Sequence, residues 1–231
     1  MRRALRIAGW TLIGAGALVG LFLLYQLFVT DLINARSQAE ASEQLQEVLA
    51  ERRSALISTT TTSPTASSTT TEPTPMLMAE PAVTIGDPFG RIEIPRLGID
   101  QVLFEGVDRA TLKLGPGHMP RTPLPGQPGN AVLSGHRTTY GKPFADLDLL
   151  EPGDQILVET AVGVSTYEVR ESLIVAPTDT WVVDPRNGAW LTLTTCHPRF
   201  SAAQRLIVHA EMVDGPNFAY VEAVLPASDI G

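Results

Sequence analysis

The sequence predicts an all-β domain that follows a single N-terminal membrane-spanning helix. From about Val83 onward, short apolar runs rich in Val, Ile, Leu and Thr recur, and Gly, Pro, Asp and Asn separate them. Runs of this length and spacing are typical of strands in an antiparallel barrel or sandwich, and periodicity alone does not choose between the two. The long helical patterns lie before this point, in the apolar N-terminus and the polar stretch behind it.

The apolar runs of the domain define its candidate strands. These are Arg91–Ile94, Gln101–Phe104, Ala131–Ser134, Gln155–Glu159, Thr166–Ala176, Trp190–Thr194 and Leu206–Val213. Two other stretches, Asp108–Leu112 and Pro143–Leu150, have the pattern of short helical or turn segments. A domain of this size is expected to have a single hydrophobic core.

An uncharged apolar run extends from Ile7 to Val29, and three arginines precede it. At a rise of ~1.5 Å per residue, a helix of this length crosses a hydrocarbon core of ~30 Å. A cleavable signal peptide would have a shorter apolar core that ends in small residues, whereas this run stays bulky to its end, so an uncleaved anchor is favoured. The positive-inside rule then predicts a cytoplasmic tail of residues 1–6, with everything after Asp31 outside the plasma membrane.

Residues 30–82 are predicted to form an extracellular stem and linker, ahead of a folded domain at 83–231. Leu32–Ile57 is polar and helix-prone, with only a partial apolar stripe. Ser58–Pro75 consists almost entirely of Ser, Thr and Pro, a composition that cannot bury enough apolar surface to fold and is typical of a mobile stalk. Met76–Asp87 fits a linker and a lid over the functional groove equally well.

The charge of the chain excludes one large class of ligand. The 231 residues carry a formal net charge of −8. Phosphate binding requires clustered Lys and Arg, and the folded part has no basic stripe, so we expect no nucleic-acid partner. Acidic charge favours solubility and says little about the substrate.

Three residues at strand ends form the candidate catalytic group. The only cysteine, Cys196, ends the strand-like run that begins at Trp190. A Gly-His pair at His136 ends another such run, and Arg205 opens the run that follows Cys196. A lone cysteine is either a small buried core residue or, in an exported domain, a candidate reactive thiol.

These residue types fit nucleophilic catalysis. A thiol near its ordinary pKa of about 8.5 is only slightly ionised at neutral pH, so it gains from a cationic neighbour. His136 can supply that charge as imidazolium and can later protonate a departing amine. Arg205 stays charged and can donate hydrogen bonds to a carbonyl oxygen that becomes an oxyanion.

Other histidines are weaker candidates for the base. His118 follows Gly-Pro-Gly, which indicates a structured turn. His197 adjoins Cys196, and neighbours on an extended chain point to opposite sides. His209 has the strand parity of Arg205 and is expected to lie on one face of the sheet.

The remaining charged residues near the trio give no third catalytic member. Asp146 and Asp148 are weak candidates for orienting the histidine, since acidic residues are common in loops. Arg199 is a weaker oxyanion donor than Arg205, because only Arg205 begins the strand that can pair beside Cys196. No Cys-x-x-Cys or His-x-x-x-His spacing occurs, so no metal site is expected.

Two blocks of sequence now carry a family resemblance. Asn-Ala-Val-Leu-Ser-Gly-His-Arg at 130–137 and Leu-Thr-Thr-Cys at 193–196, followed by Arg205, resemble the signature blocks of sortases, which join surface proteins to the cell wall of Gram-positive bacteria. The resemblance extends from about Phe89 to Val213. His-Arg-Thr-Thr-Tyr-Gly from His136, with His-Pro after the cysteine, is most similar to the actinobacterial class E group.

The resemblance implies an eight-stranded antiparallel barrel with the three catalytic residues along one groove. It implies that Cys196 attacks the Thr–Gly bond of a C-terminal sorting signal on a secreted protein, with Leu-Ala-x-Thr-Gly favoured over Leu-Pro-x-Thr-Gly in class E. An amine of a peptidoglycan precursor or a pilin lysine then resolves the thioacyl intermediate. No cofactor is implied, and no acidic loop cluster suggests the calcium site that some sortases use.

Tyr140, Thr195 and Arg137 are the candidate substrate contacts, and Tyr140 is the one expected to shape the pocket for the second signal position. Wall anchoring and pilin polymerisation both remain open as the biological outcome. An L,D-transpeptidase is disfavoured because that family places Ser-His-Gly around its cysteine. A non-catalytic surface module is disfavoured because it has no need for all of Cys196, His136 and Arg205.

Overall fold

The computed structural model describes residues 2–25, 30–60 and 75–224. The helices in these ranges are α1 Arg2–Leu24, α2 Thr30–Thr60, α3 Thr111–Leu114 and α4 Phe218–Val224. The strands are β1 Pro88–Ile94, β2 Ile99–Glu105, β3 Gly117–His118, β4 Gly129–Ser134, β5 Gln155–Glu159, β6 Val164–Val175, β7 Ala189–His197 and β8 Gln204–Asp214.

The strands close into one barrel in the order β1-β2-β3-β4-β7-β8-β6-β5. The eight-stranded barrel is confirmed, but the expectation that it is antiparallel throughout is wrong: β2 pairs with β3, and β4 with β7, in parallel. Parallel neighbours need a long crossover, and the chain between β4 and β7 provides one that contains β5 and β6. All seven predicted strands are present, while β3 is too short for its alternation to appear in sequence.

The barrel interior holds the core that the strand alternation predicts. On β7, Leu191 and Leu193 point inward, and on β8 their partners Ala210 and Val208 do the same. Each fully buried aliphatic side chain of this kind contributes about 1.5–3 kcal/mol. The alternate residues of β4, β7 and β8 therefore face outward, and this outer face is where the candidate site lies.

The two ends of the barrel have different neighbours. We call the end where β4 and β7 finish and β8 begins the upper end; it carries Ser134, Cys196 and Arg205. The opposite end, where β4 begins and β8 finishes, is the lower end and carries Gly129 and Asp214.

Helix α2 packs against the outside of the barrel. Its Ala41, Leu45 and Leu49 are buried in a second apolar cluster with Val102 and Phe104 of β2. The stretch from Leu32 was predicted from a partial apolar stripe as a helical stem, and in the structure that stripe is a packing surface. Most of the predicted Ser/Thr/Pro stalk, residues 61–74, lies outside the described residues.

The segment from Pro75 to Asp87 lies against the lower end of the barrel. Asn217, just beyond β8, accepts a hydrogen bond from the Met78 amide at 2.8 Å and donates to the Met78 carbonyl at 2.9 Å. The same Asn217 donates to Gly126 ahead of β4. Of the two roles left open by the sequence, linker and lid, this contact fits the linker, because the candidate site is at the other end.

Helix α1 is the one described helix that is long and apolar enough to cross a membrane, over Arg2–Phe22. Its side chains make no buried contact with the barrel within that span. The predicted span of Ile7–Val29 overlaps it, with residues 26–29 outside the described range.

Candidate active site

The thiol and one guanidinium face each other across two paired strands. Cys196 on β7 is the register partner of Arg205 on β8. Residues directly opposite in an antiparallel pair point to the same side, so both side chains lie on the outer face of the barrel. Cys196 is partly exposed as a free thiol, which excludes the alternative of a fully buried core cysteine.

His136 is brought to the same row by the parallel pairing of β4 with β7. Ser134 is the partner of Thr194, and the Gly135 amide continues the ladder by donating to the Thr194 carbonyl at 3.1 Å. Extending this register by two residues puts His136 level with Cys196, again on the outer face. Strands β7 and β8 thus contribute Cys196 and Arg205 to one row, and the segment that follows β4 contributes His136.

Gly135 and Thr195 fix the approach of these two strand ends. The Thr195 hydroxyl is buried and donates to the Gly135 carbonyl at 2.8 Å. A Cβ on Gly135 would meet the buried ring of Phe144 at 2.5 Å, so glycine is required by close packing against this ring. Thr195, a candidate substrate contact from sequence, therefore uses its hydroxyl to join β7 to the segment that carries His136.

The environment of His136 favours its neutral form. The ring is half-buried and lies 5.3 Å from the ring of Tyr140, and this burial lowers the pKa of His136. Its Nε2 is buried and has no hydrogen-bond partner among the described residues. A neutral imidazole with a free ring nitrogen can act as a proton acceptor, which differs from the imidazolium expected as the resting form.

Arg205 has a charge that no carboxylate neutralises within the described part of the chain. Its guanidinium donates to the carbonyl of Ala202, in the loop between β7 and β8, at 3.0 Å and to that of Gln204, the first residue of β8, at 2.9 Å. Such contacts hold the side chain at the strand end without removing its positive charge. The remaining guanidinium donors can serve an anionic oxygen at the position of Cys196.

Arg137 occupies a different place from the one expected of a substrate contact. It is only 3% exposed, and its guanidinium pairs with Asp148 at 2.9 Å. It also contacts the Cys196 carbonyl at 3.4 Å and His197 Nδ1 at 2.7 Å. Arg137 therefore ties the segment after His136 to the backbone of the nucleophile.

Tyr140 remains beside the site as expected from sequence. It is partly exposed, packs on His136 and lies under Lys113, whose Nζ is 5.6 Å from the ring centroid. Its backbone φ of 51° is in the left-handed region, which non-glycine residues seldom adopt. Such backbone strain clusters at functional sites.

The rival histidines have structural partners. His118 is buried, with Nδ1 2.7 Å from Glu105 and Nε2 2.9 Å from the Pro123 carbonyl. His209 is buried with Nδ1 2.9 Å from the Thr192 hydroxyl, and His197 contacts Arg137. None of the three lies in the row of Cys196 and Arg205.

The two acids considered as orienters pair with arginines instead. Asp148 binds Arg137 and lies 3.8 Å from Arg199, while Asp146 makes a hydrogen-bonded ion pair with Arg199. The role of Asp148 was missed because its partner is eleven residues away in a loop whose path no periodicity indicates. Charge complementarity between Arg137 and Asp148 was the available signal.

Comparison with known proteins agrees with the site. Residues 92–213 match the family model described as the sortase domain. Sortase SrtE1 of Streptomyces coelicolor is 32% identical over 91% of this chain and 58% of its own length, and SrtE2 of the same organism is 27% identical over 91% and 83%. The chain thus spans little more than half of the first of these relatives.

Solved structures give the same result. Sortase E from Streptomyces avermitilis superposes with a TM-score of 0.54 at 38% identity, covering 57% of this chain and 91% of that one. Sortase E1 from Streptomyces coelicolor, solved with a tripeptide in its active site, gives 0.53 at 33% identity, covering 56% and 90%. The chain belongs to the sortase family and is similar to its class E members.

Proposed function

We propose that this chain is a membrane-anchored cysteine transpeptidase that cleaves the Thr–Gly bond of C-terminal sorting signals. The observation that carries the proposal is the register pairing of Cys196 with Arg205, with His136 in the segment that directly follows β4, the neighbour of β7. Membership of the sortase family supports the reaction class, because sortases are cysteine transpeptidases. The row supplies the nucleophile, base and oxyanion donor that acyl transfer needs.

In the first half-reaction, the Cys196 thiol transfers its proton to the neutral imidazole of His136. The sulfur attacks the threonine carbonyl carbon, and the carbonyl oxygen takes the negative charge. Arg205 stabilises that oxygen by donating hydrogen bonds to it. The C–N bond then breaks, and the imidazolium of His136 gives its proton to the departing glycine amine, which leaves a thioester on Cys196.

In the second half-reaction, an acceptor amine attacks the thioester carbonyl. His136 takes the proton that the amine loses, and Arg205 again stabilises the oxyanion. The C–S bond breaks, a new amide forms, and Cys196 recovers its proton from His136. Partners of this type are a peptidoglycan-precursor amine, for wall anchoring, or a pilin lysine, for pilus assembly.

For the acyl donor, we propose secreted proteins with Leu-Ala-x-Thr-Gly signals, in preference to Leu-Pro-x-Thr-Gly. The similarity to class E sortases supports this preference. Tyr140, whose ring is 5.3 Å from that of His136, is the proposed wall of the pocket for the second signal position. For topology, we propose that α1 crosses the plasma membrane with residues 1–6 in the cytoplasm and the barrel outside, since the arginines precede the apolar run.

The test is cleavage of the two fluorogenic signal peptides by the full chain in detergent, with mass spectrometry of Cys196. We expect cleavage between Thr and Gly, an acyl adduct on Cys196, and faster turnover of the Ala-containing peptide. Cys196→Ala and Arg205→Ala should lose turnover, while the matched surface variant Arg199→Ala should keep it. If neither peptide is cleaved with amine acceptors present and no adduct forms, the chain is a non-catalytic surface module.

A further inference from the structure

The membrane-proximal end of α2 contacts the loop that follows His136. The Asp31 carboxylate accepts a hydrogen bond from the Gly141 amide at 3.1 Å through one oxygen. Its other oxygen pairs with Lys142 Nζ at 2.8 Å. Asp31 is the second residue of α2, so the first turn of this helix is joined directly to the loop.

Asn34, one turn further along α2, packs against the same loop. It is 3% exposed, and its side-chain amide donates to the carbonyls of Lys113 and Leu114 at 3.1 and 2.9 Å. A Cβ on Gly141 would lie 2.0 Å from Asn34 Oδ1, so the loop backbone is packed against this side chain. Asn34 thereby orders the surface on which the loop rests.

The loop needs such support because its backbone is strained. Tyr140, Gly141 and Lys142 have successive φ values of 51°, 74° and 49°. Two of these residues are not glycine, and left-handed backbone persists in them only where the surroundings hold it. The contacts of Asp31 with Gly141 and Lys142 are made at this stretch.

The loop lies at the upper end of the barrel, beside the candidate active site. The ring of Tyr140 packs on His136, and the Phe144 amide donates to the His136 carbonyl at 3.1 Å. Five residues of the loop line a cavity with four residues from the turn where β1 passes into β2 at the upper end: Gly141, Lys142, Pro143, Ala145 and Asp146, with Leu97, Gly98, Ile99 and Gln101. Helix α2 then runs toward the lower end, where Arg53 pairs with Glu159 at 2.8 Å.

Chain length now limits how far the site can be from the membrane. Leu24 ends α1, and even a fully extended chain from Leu24 to Asp31 spans at most about 25 Å. A catalytic domain at the end of a stem and stalk would have far greater reach, because α2 alone is about 46 Å long. The Ser/Thr/Pro stretch instead connects the end of α2 to Pro75, and so does not separate the barrel from the anchor.

We propose that α2 holds the His136 loop at the membrane surface, so that the site acts on bonds presented at the bilayer by membrane-held substrates. Asp31 and Asn34 are the positioning residues. The part about substrates rests on the proposed function, whereas the placement of the loop does not. The partner surface is the outer face of the bilayer itself.

Two linker insertions test whether α2 holds the domain at the membrane surface or whether the domain moves freely on a flexible stalk. A Gly-Ser linker of about 20 residues has an r.m.s. length of roughly 25 Å, and it is inserted either between Val29 and Thr30 or between Thr65 and Ala66. Each full-length protein is placed in vesicles with a signal peptide that ends in an apolar membrane helix, or with the same signal peptide in solution.

We expect the insertion after Val29 to lower cleavage of the membrane-held peptide several-fold and to leave cleavage of the soluble peptide unchanged. The insertion after Thr65 should change neither, because α2 remains docked. Equal effects of the two insertions on the membrane-held peptide, or no effect of the first, would overturn the proposal.

A distance measurement tests the placement without activity. In a Cys196→Ala background, a donor dye is attached through Thr139→Cys beside the loop or through Val164→Cys at the lower end, with an acceptor on lipid headgroups. We expect stronger energy transfer from position 139 than from 164, and a smaller difference with the insertion after Val29. Equal transfer, or stronger transfer from 164, contradicts the placement, and this result holds even if neither peptide is cleaved.

Discussion

Two rows of polar residues lie on the same outer face of the barrel, across β4, β7 and β8 and the segment just after β4, and only one of them is proposed to be catalytic. The lower row is Thr192 of β7 with its register partner His209 of β8, joined diagonally by Asn130 of β4, which is the register partner of Trp190. The upper row contains Cys196 and Arg205, with His136 at the end of β4. Both rows combine a histidine with hydrogen-bonding neighbours, so residue types alone do not separate them.

The lower row is buried and hydrogen-bonded through one nitrogen of its histidine, while His209 Nε2 has no partner among the described residues. The Thr192 hydroxyl donates to Asn130 Oδ1 at 2.6 Å, so at 2.9 Å it must accept from His209 Nδ1. The Asn130 amide donates to the Asp184 carbonyl in the loop before β7, at 3.1 Å, and this loop covers the row. Polar groups that are buried and paired in this way fix the packing of strands and cover loop.

The side chains of the upper row are partly exposed, whereas the loop before β7 covers the lower row. Cys196 and His136 are partly exposed, and Arg205 keeps an unneutralised charge among the described residues. The histidine of each row has its pKa lowered by burial and a buried Nε2, but the His136 side chain is partly exposed whereas His209 is fully buried. Partial exposure, in addition to residue type, therefore separates the proposed catalytic histidine from the fully buried one.

The largest expected effect separates the two histidines by activity. His136→Asn should lower turnover of a soluble signal peptide by about 10²–10⁴-fold, because no group replaces it as proton acceptor. His209→Asn should leave turnover within a few-fold but lower the free energy of unfolding by about 1–3 kcal/mol, since the smaller amide leaves part of the buried space of the imidazole unfilled. Initial rates and urea unfolding of both variants provide the measurement.

The reverse pattern would break the comparison. If His209→Asn abolished turnover while the protein stayed folded by circular dichroism, the lower row would belong to the catalytic machinery. If His136→Asn kept full turnover, the base would have to be sought elsewhere.

Much of this arrangement was predictable from the sequence. Strand alternation puts Leu191 and Leu193 inside, which sends Thr192 and Thr194 outward, and the strand-end positions of Cys196 and Arg205 follow from the same pattern. Pairing of β4 beside β7 does not follow from it, because parallel partners are joined by a long crossover that local periodicity does not encode.

Loop contacts and long-range docking were also beyond the sequence pattern. The buried contact of Arg137 with Asp148 depends on the path of an irregular loop. Docking of α2 was underestimated because a short stripe of Leu45 and Leu49 suffices once Phe104 of β2 provides a partner surface. In both cases, the partner is distant in sequence, and the local residues are compatible with several arrangements.

The next prediction concerns His209 and the free energy of unfolding at acidic pH. Burial, with a smaller contribution from the positive charge of Arg186, lowers the pKa of His209 from 6.5 to about 4. Above pH 6.5 the histidine is neutral in both states; as the pH falls from 6.5 to 4, the unfolded chain takes up a proton that the folded protein excludes. Stability should therefore decrease by about 1.4 kcal/mol per pH unit in this window, roughly 3 kcal/mol in total.

Urea unfolding at a series of pH values measures this loss, and His209→Asn is the control. Other groups titrate in the same window, so the difference between the wild type and this variant isolates the histidine. The variant should have a flatter profile below pH 6.5. Parallel profiles would mean that His209 is protonated in the folded protein and that the lower row is not sealed.

The smallest effect concerns how far the open row is screened from water. Burial holds the pKa of His136 below its ordinary value of 6.5, and the neutral form is the one that accepts the thiol proton. The acid limb of the kcat/KM profile for a soluble peptide should therefore have its midpoint at a pH lower than 6.5. Tyr140→Ala removes the ring that packs on the imidazole and admits water, so the pKa of His136 should rise toward its ordinary value and the limb should move to higher pH. Tyr140→Phe keeps the ring and should keep the wild-type profile.

An acid limb that stays in place in Tyr140→Ala, or that moves equally in Tyr140→Phe, would show that the ring does not set the hydration of His136. The difference in exposure between the two rows would then depend on the loop that covers the lower row, and not on Tyr140.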